Sequence, residues 1–370
     1  MKTARATTLA ACLFFGAVAS AAADPNSKPK TDGAPMAAPQ SLFVSGHSLT
    51  NEPLPSDIAA IAAGFGMPLT WNRQHLEGST IEARSAEGSK GVDRANQPVD
   101  VFSEIARPEQ HPERPYDVLL ITEQHSILGS LVWNKTPSHL RTFHNRFVAS
   151  NPNGVTFFFE PWLSLDDKSN PARWIAYERA ASPVWRCVVA ELSLADRAEG
   201  GRDRLRSIPA ALALAKLVDL ATQGGGLSGI TQPTVRATVD SLISDDVHLT
   251  RLGSYYISLV VFAYTFEHSP LGAWHPADVS QEQAKALQET AAAFVAEKPA
   301  AALPLAECRD YVLQSFLGTY LSYAETVQWR RDKGRVGALY LRAKLAVQWP
   351  RLFASDTADN PFSASAYRPN

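Results

Sequence analysis

The chain has 370 residues, 45% of them hydrophobic, and a formal net charge of −2. That length supports one large domain, or one domain with an appended subdomain. The near-neutral balance, with basic residues scattered along the chain, gives no electrostatic footprint for nucleic acid or an acidic membrane surface.

The elements in chain order begin with an export signature. Lys2 and Arg5 form a positive n-region, "LAACLFFGAVA" is an apolar core, and "ASAAAD" offers small-residue cleavage sites. Residues 1–23 therefore read as a secretory signal peptide, and the protein is expected to be periplasmic or extracellular. Residues 24–40, rich in Pro and small polar side chains, read as a flexible N-terminal segment. From residue 41, short apolar runs alternate with helical patterns. "SLFVSG" is strand-like. "PSDIAAIAAGFG" is helical, with Ser56 as its expected N-cap and Gly64 or Gly66 as its stop. "LTWNRQ" and "YDVLLITE" are strands, and Trp71 is either core or cleft edge. "PSHLRTFHNRFVASNPNG" is a helix expected to start at a Ser138 cap and to end in an Asn-Pro-Asn-Gly turn. "VTFFFEPW" is the next strand. "SPVWRCVVAELSLADRA" is helical, "RSIPAALALAKLVDLATQGG" is strand then helix, and "RLGSYYISLVVFAYTFEH" is a long buried helix. No run beyond the leader reaches the ~20 apolar residues that span a bilayer.

Strands alternating with helices of this length predict a mainly parallel sheet covered on both faces. The expected fold is a three-layer α/β/α sandwich over residues 41–275, followed by a C-terminal helical extension over 276–370. Within the latter, "QWRRDKGR" reads as a solvated helix end. Two cysteines follow the leader, Cys187 and Cys308, and either a bridge or two buried thiols fits.

Ligands of parallel sheets sit beyond the carboxyl ends of the strands. Ser48, Glu123 and Glu160 all follow predicted strand ends. Ser48, in "SGHSLT", lies on a sharp strand-to-helix connection, as a nucleophile or as part of a tight loop. "SDDVHLTRLGSYY" places Asp245 three residues before His248. A serine hydroxyl needs a base within hydrogen-bond reach, and a histidine base needs a carboxylate on its other nitrogen. The plainer alternative is that Asp245 or Asp246 caps the following helix and His248 is a surface residue. His125, His139 and His144 group loosely with Glu123, but their spacing matches no metal motif such as His-Glu-x-x-His. "GGGLSG" lacks the lysine of a phosphate loop and reads as a connector.

Taken together, "LFVSGHSLTNEPLPSDIAAIA", "YDVLLITE", "FFFEPWLSL", "DDVHLTRLGSYYISLVVFAY" and "SPLG" resemble the SGNH (GDSL-like) hydrolases, and among them a bacterial secreted branch with a Gly-His-Ser-Leu block. The resemblance runs over residues 41–273 and leaves the C-terminal helices outside it. It implies Ser48 as nucleophile, His248 as general base and acid, and Asp245 as the carboxylate that orients it. It implies an oxyanion hole from the Ser48 and Gly78 backbone N–H groups and an asparagine. Where that asparagine belongs the chain has "TEQH", so Gln124 is its expected stand-in. His47 replaces the usual aspartate, as a packing residue or beside the pocket. His47, Glu123, Glu160 and Trp162 are the candidate substrate contacts, with Trp162 either stacking on a sugar or buried in the core. The implied activity is a secreted serine esterase acting on an acyl ester, expected to be an O-acetyl group on a carbohydrate. It calls for no metal or organic cofactor and no nucleic-acid partner. The same chemistry can pass the acyl group to a sugar hydroxyl. A carbohydrate-binding protein that keeps the fold without turnover is the third expectation.

Overall fold

The structure, a computed structural model, describes residues 38–109, 111–198, 204–223, 225–297 and 301–367. The expected signal peptide and most of the N-terminal segment after it lie outside these residues. Five strands, Ser41–Gly46 (β1), Thr70–His75 (β2), Val118–Thr122 (β3), Val155–Phe159 (β4) and Leu205–Ile208 (β5), pair in parallel in the order β2-β1-β3-β4-β5. Every residue of β1, β3 and β4 is buried, which is why these segments are continuous apolar runs in the sequence.

The helices are Leu54–Gly64 (α1), Ile81–Ser85 (α2), Val101–Ala106 (α3), Ile127–Trp133 (α4), Thr136–Ser150 (α5), Ala172–Ala198 (α6), Ala210–Thr222 (α7), Val235–Leu242 (α8), Arg251–Phe266 (α9), Gln281–Ala296 (α10), Leu305–Tyr311 (α11), Leu317–Ala324 (α12) and Arg330–Phe353 (α13). α9 packs against α1, α7, α8 and α10, while α5 packs against α2, α3, α4 and α6. These are the two helical layers, so the fold is the expected α/β sandwich with a helical C-terminal region. The chain leaves β1 toward β2 on one side, and β3 lies on the other. The crevice at such a reversal is where open α/β sheets bind ligands.

Two expected caps are corrected. Ser56 lies inside the first turn of α1, whose start is set by Pro53 and Pro55, and its hydroxyl donates to the Pro53 carbonyl at 3.1 Å. α5 begins at Thr136 rather than after Ser138, with Pro137 in its first turn. Proline in a first helical turn has its φ already set and lacks an N–H that would go unpaired there.

In the C-terminal region α10 joins the layer of α9 and α7, while α11 and α12 lean on α6. A disulfide between Cys187 and Cys308 ties α6 to α11 across a Cα–Cα distance of 6.4 Å, settling the cysteine question in favour of a bridge. Tyr320, fully buried, shares a hydrogen bond with Ser126 Oγ (2.7 Å) and accepts the Gly129 N–H (3.2 Å), joining α12 to α4. The stretch 328–335 is only partly a solvated end. Trp329 is buried, and Arg330, with Arg342, binds the buried Glu325 carboxylate at 2.8 Å.

Candidate active site

β1 ends at Gly46, and the chain turns at once into a single 3-10 turn, Ser48–Thr50. Gly46 is needed for that turn, because a Cβ there would meet Thr50 Oγ1 at 1.9 Å. His47 caps it: its Nδ1 accepts the Leu49 N–H at 3.5 Å, and its Nε2 bonds the Glu123 carbonyl at 3.0 Å. A carbonyl only accepts, so Nε2 carries the proton and Nδ1 is bare. Burial, aided by His125 and Arg84, holds the His47 pKa well below its ordinary 6.5 and keeps this neutral form. His47 is thus a fully buried cap rather than a substrate contact. Ser48 is half-buried, and its own N–H, first in the turn, has no acceptor within the turn.

The second half of the site is the loop between α8 and α9. A bridge between Ile243 and Leu249 closes it, and the Ser244 N–H donates to the His248 carbonyl at 2.8 Å. Inside the loop, Asp245 Oδ1 accepts the N–H groups of Val247 (2.8 Å) and His248 (2.7 Å), and Oδ2 holds His248 Nδ1 at 2.7 Å. Partial burial works against ionisation of Asp245, but these donors outweigh it and hold its pKa at about 2. An ionised carboxylate on Nδ1 fixes the tautomer that leaves His248 Nε2 as a proton acceptor. Asp245 is therefore not the cap of α9. Thr250 is, accepting the Gly253 N–H at 3.3 Å. Gly253 is required, since a Cβ there would meet the Leu242 carbonyl at 2.2 Å. The loop is braced from the segment after β4, where Trp162 Nε1 donates to the Val247 carbonyl (2.7 Å) and the Leu165 N–H to the Asp246 carbonyl (2.7 Å).

One ion pair joins the two halves. Arg251, three residues after His248, grips the buried carboxylate of Asp57 on α1 through both terminal nitrogens, at 2.5 and 2.8 Å. Ser48 and His248 then line one cleft of ≈ 240 Å³. Leu49, Pro53, Leu54, Leu249 and Ile257 supply its apolar wall, and Asn51, Glu52 and Ser254 its polar groups. Ser48 Oγ and His248 make no direct hydrogen bond among the described residues. Such bonds are often long without substrate and tighten when it binds.

Trp162 is both core and cleft: it is buried, lines this cavity, and its indole N–H is committed to Val247. The other expected contacts face inward. Glu123 is fully buried, its carboxylate accepting the N–H groups of Ile81 (3.1 Å) and Gln124 (2.7 Å) and the Thr136 hydroxyl (2.9 Å). Glu160 is fully buried beneath the hydroxyls of Ser182 (2.8 Å) and Ser207 (2.5 Å), and burial pushes its pKa up to about 7. A strand-end address does not say which way a side chain points, and both carboxylates turn into the protein. Gly78 sits in the loop after β2 with φ +61°, and neither it nor Gln124 lines the cleft. His125, His139 and His144 bond separately to the Trp162 carbonyl, Ser85 and Thr156. No cluster of three metal-binding side chains occurs among the described residues. Trp71 is core, with the Arg94 guanidinium 4.5 Å above its ring.

Sequence reasoning missed Asn51 and Arg84. Asn51 follows the serine turn and lines the cleft. Its Oδ1 accepts Arg73 and the Glu52 N–H (2.8 Å), which leaves Nδ2 as its donor. The available signal was an amide three residues after the serine, directly after the turn. Arg84 is fully buried and bonds Ser45 Oγ (3.1 Å), Ser79 Oγ (2.7 Å) and the Thr122 carbonyl, fastening the Gly78 loop to β1 and β3.

No protein-family model matches the chain, and no curated protein matches it. Among solved structures it is similar to the crystal structure of a DUF4886 family protein from Bacteroides uniformis, at 13% identity and a TM-score of 0.47, over 71% of this chain and 98% of that one.

Proposed function

We propose that this protein is a serine esterase that removes a short acyl group from an alcohol, with an O-acetylated carbohydrate outside the cell as the substrate class. The observation that carries this reading is a histidine, oriented by an ionised aspartate at 2.7 Å, in the same cleft as a serine on a strand-to-helix turn. Ser48 Oγ attacks the ester carbonyl as His248 Nε2 takes its proton. The carbonyl oxygen becomes an oxyanion beside the Ser48 N–H, and Asn51 Nδ2 supplies the side-chain amide in place of Gln124. Collapse breaks the bond to the alcohol oxygen, which leaves with the proton from His248. His248 then deprotonates a water that attacks the acyl-serine, the acyl bond to Ser48 Oγ breaks as His248 returns the proton to that oxygen, and the carboxylic acid departs. Leu49, Pro53, Leu54 and Ile257 give the acyl group an apolar wall to lie against. The carbohydrate part rests on the SGNH resemblance and on the expected export signal.

A serine-directed fluorophosphonate tests the nucleophile, with label expected on Ser48 and none on Ser48→Ala. Hydrolysis of p-nitrophenyl acetate should disappear in Ser48→Ala and His248→Ala. Asn51→Ala should lower kcat by about a hundred- to a thousandfold, the usual cost of one oxyanion donor. A carbohydrate-binding protein without turnover is the second reading, favoured by the absence of Gly78 and Gln124 from the cleft lining. It is the one to adopt if wild type takes no label and leaves acetylated glycans intact. Acetyl transfer to an added sugar in preference to water would make the enzyme a transferase.

A further inference from the structure

After Gly334, whose φ of +68° breaks the helix, α13 is apolar on two opposite faces. Ala338, Leu345, Trp349 and Phe353 are buried in the C-terminal bundle. Val336, Leu339, Tyr340 and Val347 point the other way and are 83, 54, 68 and 56% exposed. Their spacing puts them in one stripe on a helix. A helix with one apolar face ordinarily buries it, and this one has a second apolar stripe with nothing packed on it among the described residues, so the stripe calls for a cover.

Charge selects the cover. From Arg335 to Phe353 the chain carries Arg335, Arg342, Lys344 and Arg351 and no acidic residue. Arg342 is committed to Glu325, whereas Arg335, Lys344 and Arg351 have no acidic partner among the described residues. Lys344 follows Tyr340, and Arg351 follows Val347, by one helical turn, so both cations border the stripe. A second copy docking through the same face would set these cations against themselves. Four partly exposed side chains also offer only a few hundred Å², well short of the roughly 800 Å² per partner that a stable dimer buries. An anionic bilayer needs neither a larger area nor acidic side chains. It takes the apolar stripe into the boundary of its headgroups, with Tyr340 at the interface and the cations among the lipid charges.

We propose that the outer face of α13 docks on the surface of an anionic lipid bilayer, lying in its plane. No helix of the described residues is long and apolar enough to cross a membrane, so the contact is peripheral. The whole-chain charge of −2 conceals it, because the acidic residues lie elsewhere. The first turn of α13 is tied to the candidate catalytic loop through Arg331 and Asp246, 3.5 Å apart. The docking holds whether or not Ser48 is a nucleophile.

The test is flotation of the full chain with vesicles of phosphatidylcholine, alone or with about a third phosphatidylglycerol. Wild type should float with the anionic vesicles more than with the neutral ones, and high salt should release it. Lys344→Gln with Arg351→Gln should weaken binding to anionic vesicles about 30-fold, at about fivefold per near-surface cation. Val336→Ser with Tyr340→Ser should weaken it comparably. All four positions are exposed, so an unchanged thermal unfolding curve will confirm that the variants fold. Flotation of these variants equal to wild type would overturn the proposal by placing the lipid contact elsewhere on the chain. Absence of any vesicle binding would also overturn it, as would a wild-type dimer in light scattering that the Val336/Tyr340 variant converts to monomer. In the same way, flotation insensitive to lipid charge and salt would refute the electrostatic half.

Discussion

Arg251→Met tests how the two halves of the candidate site are held together. The Asp57 side chain is 4% exposed and receives both terminal nitrogens of Arg251, which is itself 30% exposed. Burial already raises the Asp57 pKa above 3.8 against the pull of this arginine. Without the arginine, the carboxylate must stay charged and unpartnered or take up a proton. At pH 7, protonating a group of ordinary pKa 3.8 costs about 4 kcal/mol, at 1.36 kcal/mol per unit, and this sets the ceiling. Water entering through the exposed side of the pair lowers the expected loss to about 3 kcal/mol, at the lower end for a broken buried ion pair. The sign with pH follows. The variant's folded Asp57 has a pKa above the unfolded one, so the penalty shrinks as pH falls toward 3.8. At pH 5 the ceiling is about 1.6 kcal/mol. Urea unfolding of wild type and variant at the two pH values measures both losses. Adding Asp57→Leu removes the stranded charge and should restore most of the stability. It should not restore kcat/KM on p-nitrophenyl acetate, because the clamp between α1 and α9 is still missing. A loss below about 1 kcal/mol at both pH values would refute the assignment of a buried clamp. Recovery of activity along with stability in the double variant would show that the pair positions nothing.

Three further outcomes are expected. His47 has a folded pKa below its unfolded 6.5, so its contribution is complete above that pH and fades as pH drops below it. His47→Asn keeps a cap acceptor and should flatten the fall in stability measured by urea unfolding between pH 7 and pH 5. Gly253→Ala places a Cβ 2.2 Å from the Leu242 carbonyl and should cost about 1–3 kcal/mol in unfolding free energy. It should lower kcat/KM further than stability alone accounts for, because the displaced carbonyl closes the His248 loop. Tyr320→Phe strands the Ser126 hydroxyl and the Gly129 N–H in the interior and should cost about 1–3 kcal/mol, with esterase kinetics unchanged.

What the sequence disclosed and what it withheld divide along a physical line. β1, β3 and β4 were legible because strands buried on both faces are continuous apolar runs, which need no tertiary information to recognise. The Ser48 turn and the Asp245–His248 loop were legible because each is closed by bonds within a few residues. Features that depend on what packs against them were not. Glu123 and Glu160 share a strand-end address with Ser48 yet turn inward, and only the third dimension separates the cases. Arg84 was passed over because an arginine in a short polar segment is ordinarily a surface residue. Its burial also gives a physical reason for the glutamate in "TEQH". Arg84 reaches β1, β3 and the loop carrying Gly78, while Glu123 holds the Ile81 N–H at the far end of that loop, its pKa raised by burial against the pull of Arg84's charge. A buried guanidinium gains from a nearby carboxyl group, and an ionised carboxylate in this place only accepts hydrogen bonds and cannot donate one to an oxyanion. On the proposed mechanism, the amide donor then has to come from another element. Asn51, directly after the serine turn and with its oxygen already taken by Arg73 and Glu52, is the amide that reading leaves for it. On the proposed mechanism, Asn51→Ala should therefore cost far more activity than Gln124→Ala.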